Sequence, residues 1–361
     1  MTSLYLTGGQ QRAPRPFISD PKEWYEYQNG LILDVDTGTG KAVTKLSYVS
    51  PPESCAAHDP EILFKSGTVQ DGVLYACTQT EVLLFALPHF EMLHYISLPC
   101  FNDVHHVHPT ARGTLLVANS GLEMVLELSR EGEVLRTWNT LGEDPWARFS
   151  PTTDYRKGIS TKPHQSHPNY VFTLGDEIWA TRFQQKDALC LTNPERRIEL
   201  GMERIHDGVL HDDHLYFTAV HGRVVIVDPR TLVIDDIVDL TAMHDAGVLL
   251  GWCRGLLVDG PLAWVGFSRI RATKFRENVG WIAHGFKRVL PTHIACYDLA
   301  RRRCVAEIDV EGFGLDAVFS ILPTVDVQSS PDAARCGRCP ATDEREAAHR
   351  AQCHGLCACE R

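Results

Sequence analysis

The sequence predicts an all-β protein, a single six-bladed β-propeller with a short cysteine-rich appendage at its C-terminus. Three observations carry this. Short runs of β-branched and aromatic residues recur along the 361 residues, separated by Gly, Asp, Asn and Pro. Laid under one another they form a four-strand unit of about forty residues, the period of a propeller blade. Unmatched half-units stand at the two ends, as they must if one blade is shared between the termini.

The clearest unit, 204–240, reads RIHDGVLHDD, HLYFTAVHG, RVVIVDPRT and VIDDIVDLT. Before it come HPNYVFTLG, DEIWATRFQ, DALCLTNP and RRIEL, and before those DVHHVHPTA, GTLLVANSG, MVLELSREG and EVLRTWN. The span 61–99 (EILFKSGTV, VLYACTQT, EVLLFALPH, EMLHYISLP) forms another unit, and a last one opens GWCRGLLVDG, PLAWVGFSR and resumes at THIACYDLA, RRCVAEIDV. Residues 31–49 supply two outer strands without inner ones, LDAVFSILP an inner strand without partners, and SLYLTGG the strand between. A sixth blade built from these pieces closes the ring and removes free sheet edges. The propeller is placed at 1–325, a polar linker at 326–335 and the tail at 336–361. An open β-sandwich is the competing architecture.

Two insertions break the repeat. Residues 140–162 join the third and fourth blades, and 269–290 interrupt the last full unit. The second carries Arg269, Arg271, Lys274, Arg276, Lys287 and Arg288: a solvated face, a lid, or a docking surface for an acidic partner.

Composition narrows the function. A formal net charge of −11 argues against nucleic-acid or anionic-membrane binding. No run of about 18 apolar residues spans a bilayer. The N-terminus lacks a basic segment followed by an apolar one, so a cytoplasmic, reducing setting is expected, with the 12 cysteines as thiols or metal ligands.

Histidines mark the blade starts: His105 and His106 in DVHHVHP, His167 in KPHQSHPN, His206 in RIHDGV. First strands line a propeller channel, so His167, His206 and one of the first pair converge on an open-faced metal site, for which Fe or Cu is favoured over Zn. Counting nine residues back from the second strand takes Leu215 to His206 and Leu115 to His106, while a one-residue difference in hairpin length selects His105. His164 is placed to reach the rim as a supporting partner. The same count puts Cys253 where His206 sits and aligns Arg254 with Asp207. Cys253 then reads as a nucleophile, redox group or soft ligand, and Arg254 as a fixed cation for a substrate carboxylate or phosphate. Asn169 and Asp207 complete the substrate side. The structural alternative is a polar residue at a fixed position in each blade, hydrogen-bonding neighbouring strands around the channel, with Cys253 a buried core residue.

The elements DVHHVHP, SHPN, RIHDGV and WCRGLLV, with VGFSRIR, resemble an uncharacterised family of bacterial β-propellers whose blades open with Asp-x-His, His-x-Asn, Pro-His and Arg-Gly-Leu. Asp103 and His105 match the first, His167 and Asn169 the second, His206 the third with Ile205 in place of proline, and Arg254, Gly255 and Leu256 the fourth. The resemblance covers roughly 100–270. It implies a fold and a channel site but no reaction, and it favours His105 over His106.

In the tail, Cys336, Cys339, Cys353 and Cys357 are expected to gather around one Zn, with Cys359 or His354 as a substitute ligand. Two functions follow. One is a metal-dependent enzyme, an oxidoreductase by preference, acting on a small-molecule or peptide substrate. The other is a non-catalytic propeller whose rim binds a protein partner and whose channel histidines are structural pins.

Overall fold

The computed structural model describes residues 2–13, 26–158, 160–270 and 288–325. They form six four-stranded antiparallel sheets arranged as the blades of a propeller, plus a two-stranded parallel ribbon, Val248–Leu249 with Arg288–Val289. Blade 1 is the shared one. Its order from the channel outward is Ala317–Pro323, Ser3–Gln11, Tyr27–Asp36 and Ala42–Tyr48, so the last described strand pairs with the first. The chain can make this pairing because Gly8 has no side chain: a Cβ there would sit 1.7 Å from the Ala317 carbonyl oxygen.

Blades 2 to 6 follow in chain order, beginning with Thr68–Gln70, Val104–Pro109, Pro168–Leu174, Ile205–His211 and Trp252–Asp259. Burial falls outward along each blade. In blade 2, Val82–Ala86 is almost wholly buried, whereas Glu91–Ile96 exposes most of its residues. That gradient is why inner strands read as continuous apolar runs and outer ones as alternating runs.

The hydrophobic core is divided into wedges, one per seam between blades. Tyr75, Val104 and Met124 belong to the wedge between blades 2 and 3, Phe172 and Phe217 to that between 4 and 5, and Leu4, Trp264 and Ile294 to the seam between 6 and 1. Leu116 with Val171, Val224 with Val258, and Tyr5 with Leu74 mark the other three. Apolar burial thus lies mainly in the seams, and the channel is lined by charged and histidine side chains together with a few aromatic ones.

First strands also clasp their neighbours by hydrogen bonds. Ser66 Oγ donates to the Phe319 carbonyl (3.2 Å), the Val171 amide donates to His106 Nδ1 (3.2 Å), and Asn169 Nδ2 donates to the Ile205 carbonyl (2.8 Å). The Gly255 amide donates to Asp207 Oδ2 (3.0 Å), and Arg254 Nε to the Val318 carbonyl (2.8 Å). Most of the 269–290 insertion and the whole 326–361 segment, including Cys336, Cys339, Cys353 and Cys357, lie outside the described residues. Among the described residues no helix is long and apolar enough to cross a membrane.

Candidate functional site

The first strands of blades 3 to 6 each carry a bulge near the channel. The register skips His105 between Val104 and His106, Asn169 between Pro168 and Tyr170, and Asp207 and Gly208 between His206 and Val209. In blade 6 it skips Arg254 and Gly255 between Cys253 and Leu256. A bulge inserts an unpaired residue and reverses which face the next side chain takes. His105 consequently lines the channel cavity. His106 turns into the seam between blades: its ring stacks on Tyr170 (3.6 Å between centroids), Nδ1 accepts from Val171, and Nε2–H donates to Thr68 Oγ1 at 3.1 Å. His106 is a pin between blades 2, 3 and 4, which removes it from the channel ligands.

Cys253 also needs correction. The blade 6 hairpin pairs Asp259 with Leu262, as the blade 5 hairpin pairs His211 with His214. Counting from those equivalent pairs sets Arg254 against His206 and Cys253 against Ile205. His206 and Arg254 line the cavity, while Cys253 is fully buried in an apolar wedge where burial pushes its thiol well above the usual range. A thiol so placed is a core residue, not a nucleophile. Asp207 and Asn169 stand behind the cavity wall. Asp207 accepts from Thr218 and Gly255, and burial raises its carboxyl to about 6. Asn169 Nδ2 also lies 2.9 Å from His206 Nδ1 and so orients that ring.

The densest group of ligating atoms sits at the mouth between blades 3 and 4. One carboxylate oxygen of Asp103 and a ring nitrogen from each of His164 and His167 lie within 4.8 Å of one another. The 140–167 connection delivers the two histidines. Thr161 Oγ1 donates to the Gly121 carbonyl (2.6 Å) and accepts from His164 Nε2 (3.1 Å), which leaves the His164 Nδ1 lone pair facing His167 Nδ1 at 2.6 Å. His105 packs edge-on against His167 (4.6 Å between centroids), and its Nδ1–H donates to the Asp103 carbonyl at 2.8 Å. Asp103 and His167 both hold left-handed backbone, φ 53° and 58°, a strained conformation for side-chain-bearing residues that concentrates at functional sites.

Asp103 is itself buried and hydrogen-bonded to Lys65 through Oδ1. Lys65 is 1% exposed and also reaches Gln79, which donates to Glu61 at 2.8 Å. Asp103 Oδ2 is buried without a hydrogen-bond partner and lies 3.9 Å from Nδ1 of both His164 and His167. Burial works to raise the Asp103 carboxyl, but the Lys65 ammonium beside it outweighs burial, so the group stays a carboxylate. Burial lowers the rings: His105 falls to about 3, helped by Lys65, and His167 well below its ordinary value. Neutral imidazoles facing a carboxylate are the protonation states a metal requires. His206 belongs to the same cavity but not to this cluster, because Phe183 stands between them, 5.3 Å from the ring of His167 and 5.3 Å from that of His206.

Glu123 and Lys65 escaped the sequence reading. Glu123, fully buried, takes the backbone amides of Gln165, Ser166 and His167, the last two at 2.8 Å, and pairs with Arg148 of the insertion at 3.2 Å. It locks the loop that carries both histidines. Glu123→Ala should therefore cost about 3 kcal/mol or more, since it orphans several amides that now bond a charged acceptor. Hydrogen exchange checks this: the 165–167 amides should lose protection well before the blade strands do. A signal for Lys65 did exist, as the one basic residue in the largely apolar segment EILFKSGTV.

Fold and site together define a six-bladed β-propeller with an Asp–His cluster at its channel mouth. Comparison with solved structures agrees on the fold. A protein of unknown function from Bacteroides caccae superposes with a TM-score of 0.58 at 14% identity, over 90% of this chain and 99% of that one. A chain in the crystal structure of a nidogen/laminin complex matches with a TM-score of 0.52 at 10% identity, over 89% of this chain and 97% of that one. No protein-family model matches the sequence, and no curated protein does. At these identities the likeness concerns architecture alone, which fits the resemblance to uncharacterised propellers.

Proposed function

We propose that the channel mouth is the mononuclear metal site of a metal-dependent enzyme, an oxidoreductase, with Asp103, His164 and His167 as ligands and His105 alongside. One observation carries the reading: Asp103 Oδ2 is buried, charged and without a hydrogen-bond partner, and it faces two neutral imidazoles. An uncompensated buried carboxylate oxygen costs several kcal/mol, and a cation between the three groups removes that cost. Two histidines and a carboxylate leave coordination positions open, the donor set of non-haem Fe(II) sites, which favours iron over zinc. A bound iron would supply redox chemistry with dioxygen as co-reactant. The chain's own residues do the rest. Lys65 holds Asp103 ionised, Thr161 fixes the His164 tautomer, and Glu123 sets the loop.

Metal content after anaerobic loading with Fe(II), Zn(II) or Cu(II) tests this in the full chain. Wild type should carry about one ion more per chain than His167→Ala or His164→Ala, with Fe(II) retained through desalting. The comparison between variants cancels any metal held by the tail cysteines. Equal metal in wild type and both variants would sink the proposal and leave the cluster a structural pin.

A further inference from the structure

The cavity beside the cluster has a volume of about 530 Å³ and a charge opposite to that of the chain. The protein's formal net charge is −11. Yet Lys65, Lys162, Arg204, Arg254 and Arg269 line this cavity, and Glu61 is the one carboxylate among its described lining residues. Some of these cations have protein partners: Lys65 bonds Asp103, and Arg269 pairs with Glu311 at 2.7 Å. Arg254 and Arg204 are different. Among the described residues neither forms an ion pair, and each lies over an aromatic ring of the cavity wall.

Arg254 is held most firmly. Its Nε donates to the Val318 carbonyl at 2.8 Å, and its Cζ sits 3.4 Å from the centroid of Phe319. Stacking and a backbone bond fix the plane of the guanidinium and leave its terminal nitrogens for a ligand. Arg204 lies over Phe183 at 5.1 Å, and Phe183 stacks on Trp252 at 6.1 Å with 17° between planes. Those rings reach the cluster, since Phe183 touches His167 and Phe319 lies 6.5 Å from His105. Burial draws the Arg254 guanidinium down to about 9, and the opposing pull of Glu61, Asp207 and Glu26 does not offset it.

We infer that the cavity binds a small carboxylate with a flat unsaturated body, its carboxylate on Arg254 and its body along Phe319, Phe183 and Trp252. Arg204 is the second cation, drawing the anion in. The inference deepens the proposed function, because it takes the cavity beside the cluster as the substrate site. A single guanidinium with a fixed plane matches the two coplanar oxygens of a carboxylate. A phosphate is ordinarily met by several backbone amides at a helix N-terminus or nest. The helical turns among the described residues are three-residue 3-10 turns. Flat rings on the wall favour an aryl or conjugated body over a sugar, whose hydroxyls need many polar partners.

Benzoate, benzyl alcohol and phenyl phosphate are the probes, titrated into chelator-treated full-length protein by calorimetry. Benzoate should bind at least about tenfold more tightly than benzyl alcohol, a charge-assisted bidentate contact being worth about ten- to a hundredfold. Arg254→Lys and Arg254→Met should remove that preference and leave benzyl alcohol unchanged. Arg254 spans a blade seam, so Arg204→Met gives a second variant whose folding is not at issue, the side chain being exposed. It should weaken benzoate several-fold, more at low salt than at high. Equal binding of benzoate and benzyl alcohol, tighter binding of phenyl phosphate, or indifference to both arginines would overturn the inference. Working without metal separates the two readings. Benzoate bound through Arg254 in a protein that never retains iron would sink the metal site alone, and iron retained by a protein blind to benzoate would sink this one alone.

Discussion

Lys65→Met should destabilise the propeller by about 3–5 kcal/mol, the cost of removing one partner from a buried ion pair. The Lys65 and Asp103 side chains are 1% and 4% exposed. Asp103 already has one carboxylate oxygen without a hydrogen-bond partner. With Lys65 gone, the other is orphaned too, and a full negative charge is left among neutral rings. The effect should be strongly non-additive. Lys65→Met combined with Asp103→Asn should recover most of the loss, because no unpaired charge then remains. Urea melts of the single and double variants measure this directly, and additive losses would show that the two groups do not share one energetic unit. Saturating Fe(II) should shrink the Lys65→Met penalty, as an ion on Asp103 Oδ2 supplies the missing positive charge. A penalty unchanged by metal would count against the proposed site.

The blade repeat was legible because strand period and turn residues recur in phase, and the closing blade was legible as a remainder. SLYLTGG and LDAVFSILP each read as a strand lacking neighbours, and they pair from Leu4 with Pro323 to Gly9 with Ala317. Single-residue register at the channel was not legible. Bulges at His105 and Asn169 leave no compositional trace, and Gly208 and Gly255 mark those at Asp207 and Arg254 without fixing their register, yet each bulge decides which side chain faces the axis. Counting back from the second strand therefore chose His106 and Cys253, where the structure turns His105 and Arg254 inward. Asp103 could be read only through a resemblance. It precedes its strand in a left-handed turn, where no alternation rule applies. Glu123 was hidden for a related reason: it ends a three-residue 3-10 turn, φ 60°, and serves a loop more than forty residues away.

Acid should unfold this protein unusually early, through histidines that belong to the blade seams and the far side of the cavity. Burial, aided by His108, holds the His106 ring well below its ordinary value, and burial alone takes His108 to about 4. Burial and then Arg254 do the same for His206, whose two nitrogens already face Asn169 Nδ2 at 2.9 Å and Trp252 Nε1 at 3.3 Å. The sign follows from linkage. A ring with a depressed folded pKa stays neutral in the native state while the unfolded chain takes up its proton below about 6.5. The unfolded state then binds more protons, so stability is full above pH 6.5 and falls as pH drops beneath it. Each ring costs about 2 kcal/mol by pH 5, roughly 6 kcal/mol for the three together. Asp207 works the other way. Its carboxyl, raised to about 6, takes a proton in the native state first and returns about 1–2 kcal/mol over the same window. The net loss of about 4–5 kcal/mol is comparable with the whole stability of an ordinary domain. Urea midpoints at pH 7.5, 6.0 and 5.0 should be level across neutral pH and then drop steeply. A midpoint that holds steady down to pH 5 would mean that these rings accept protons in the folded state as readily as in the unfolded chain.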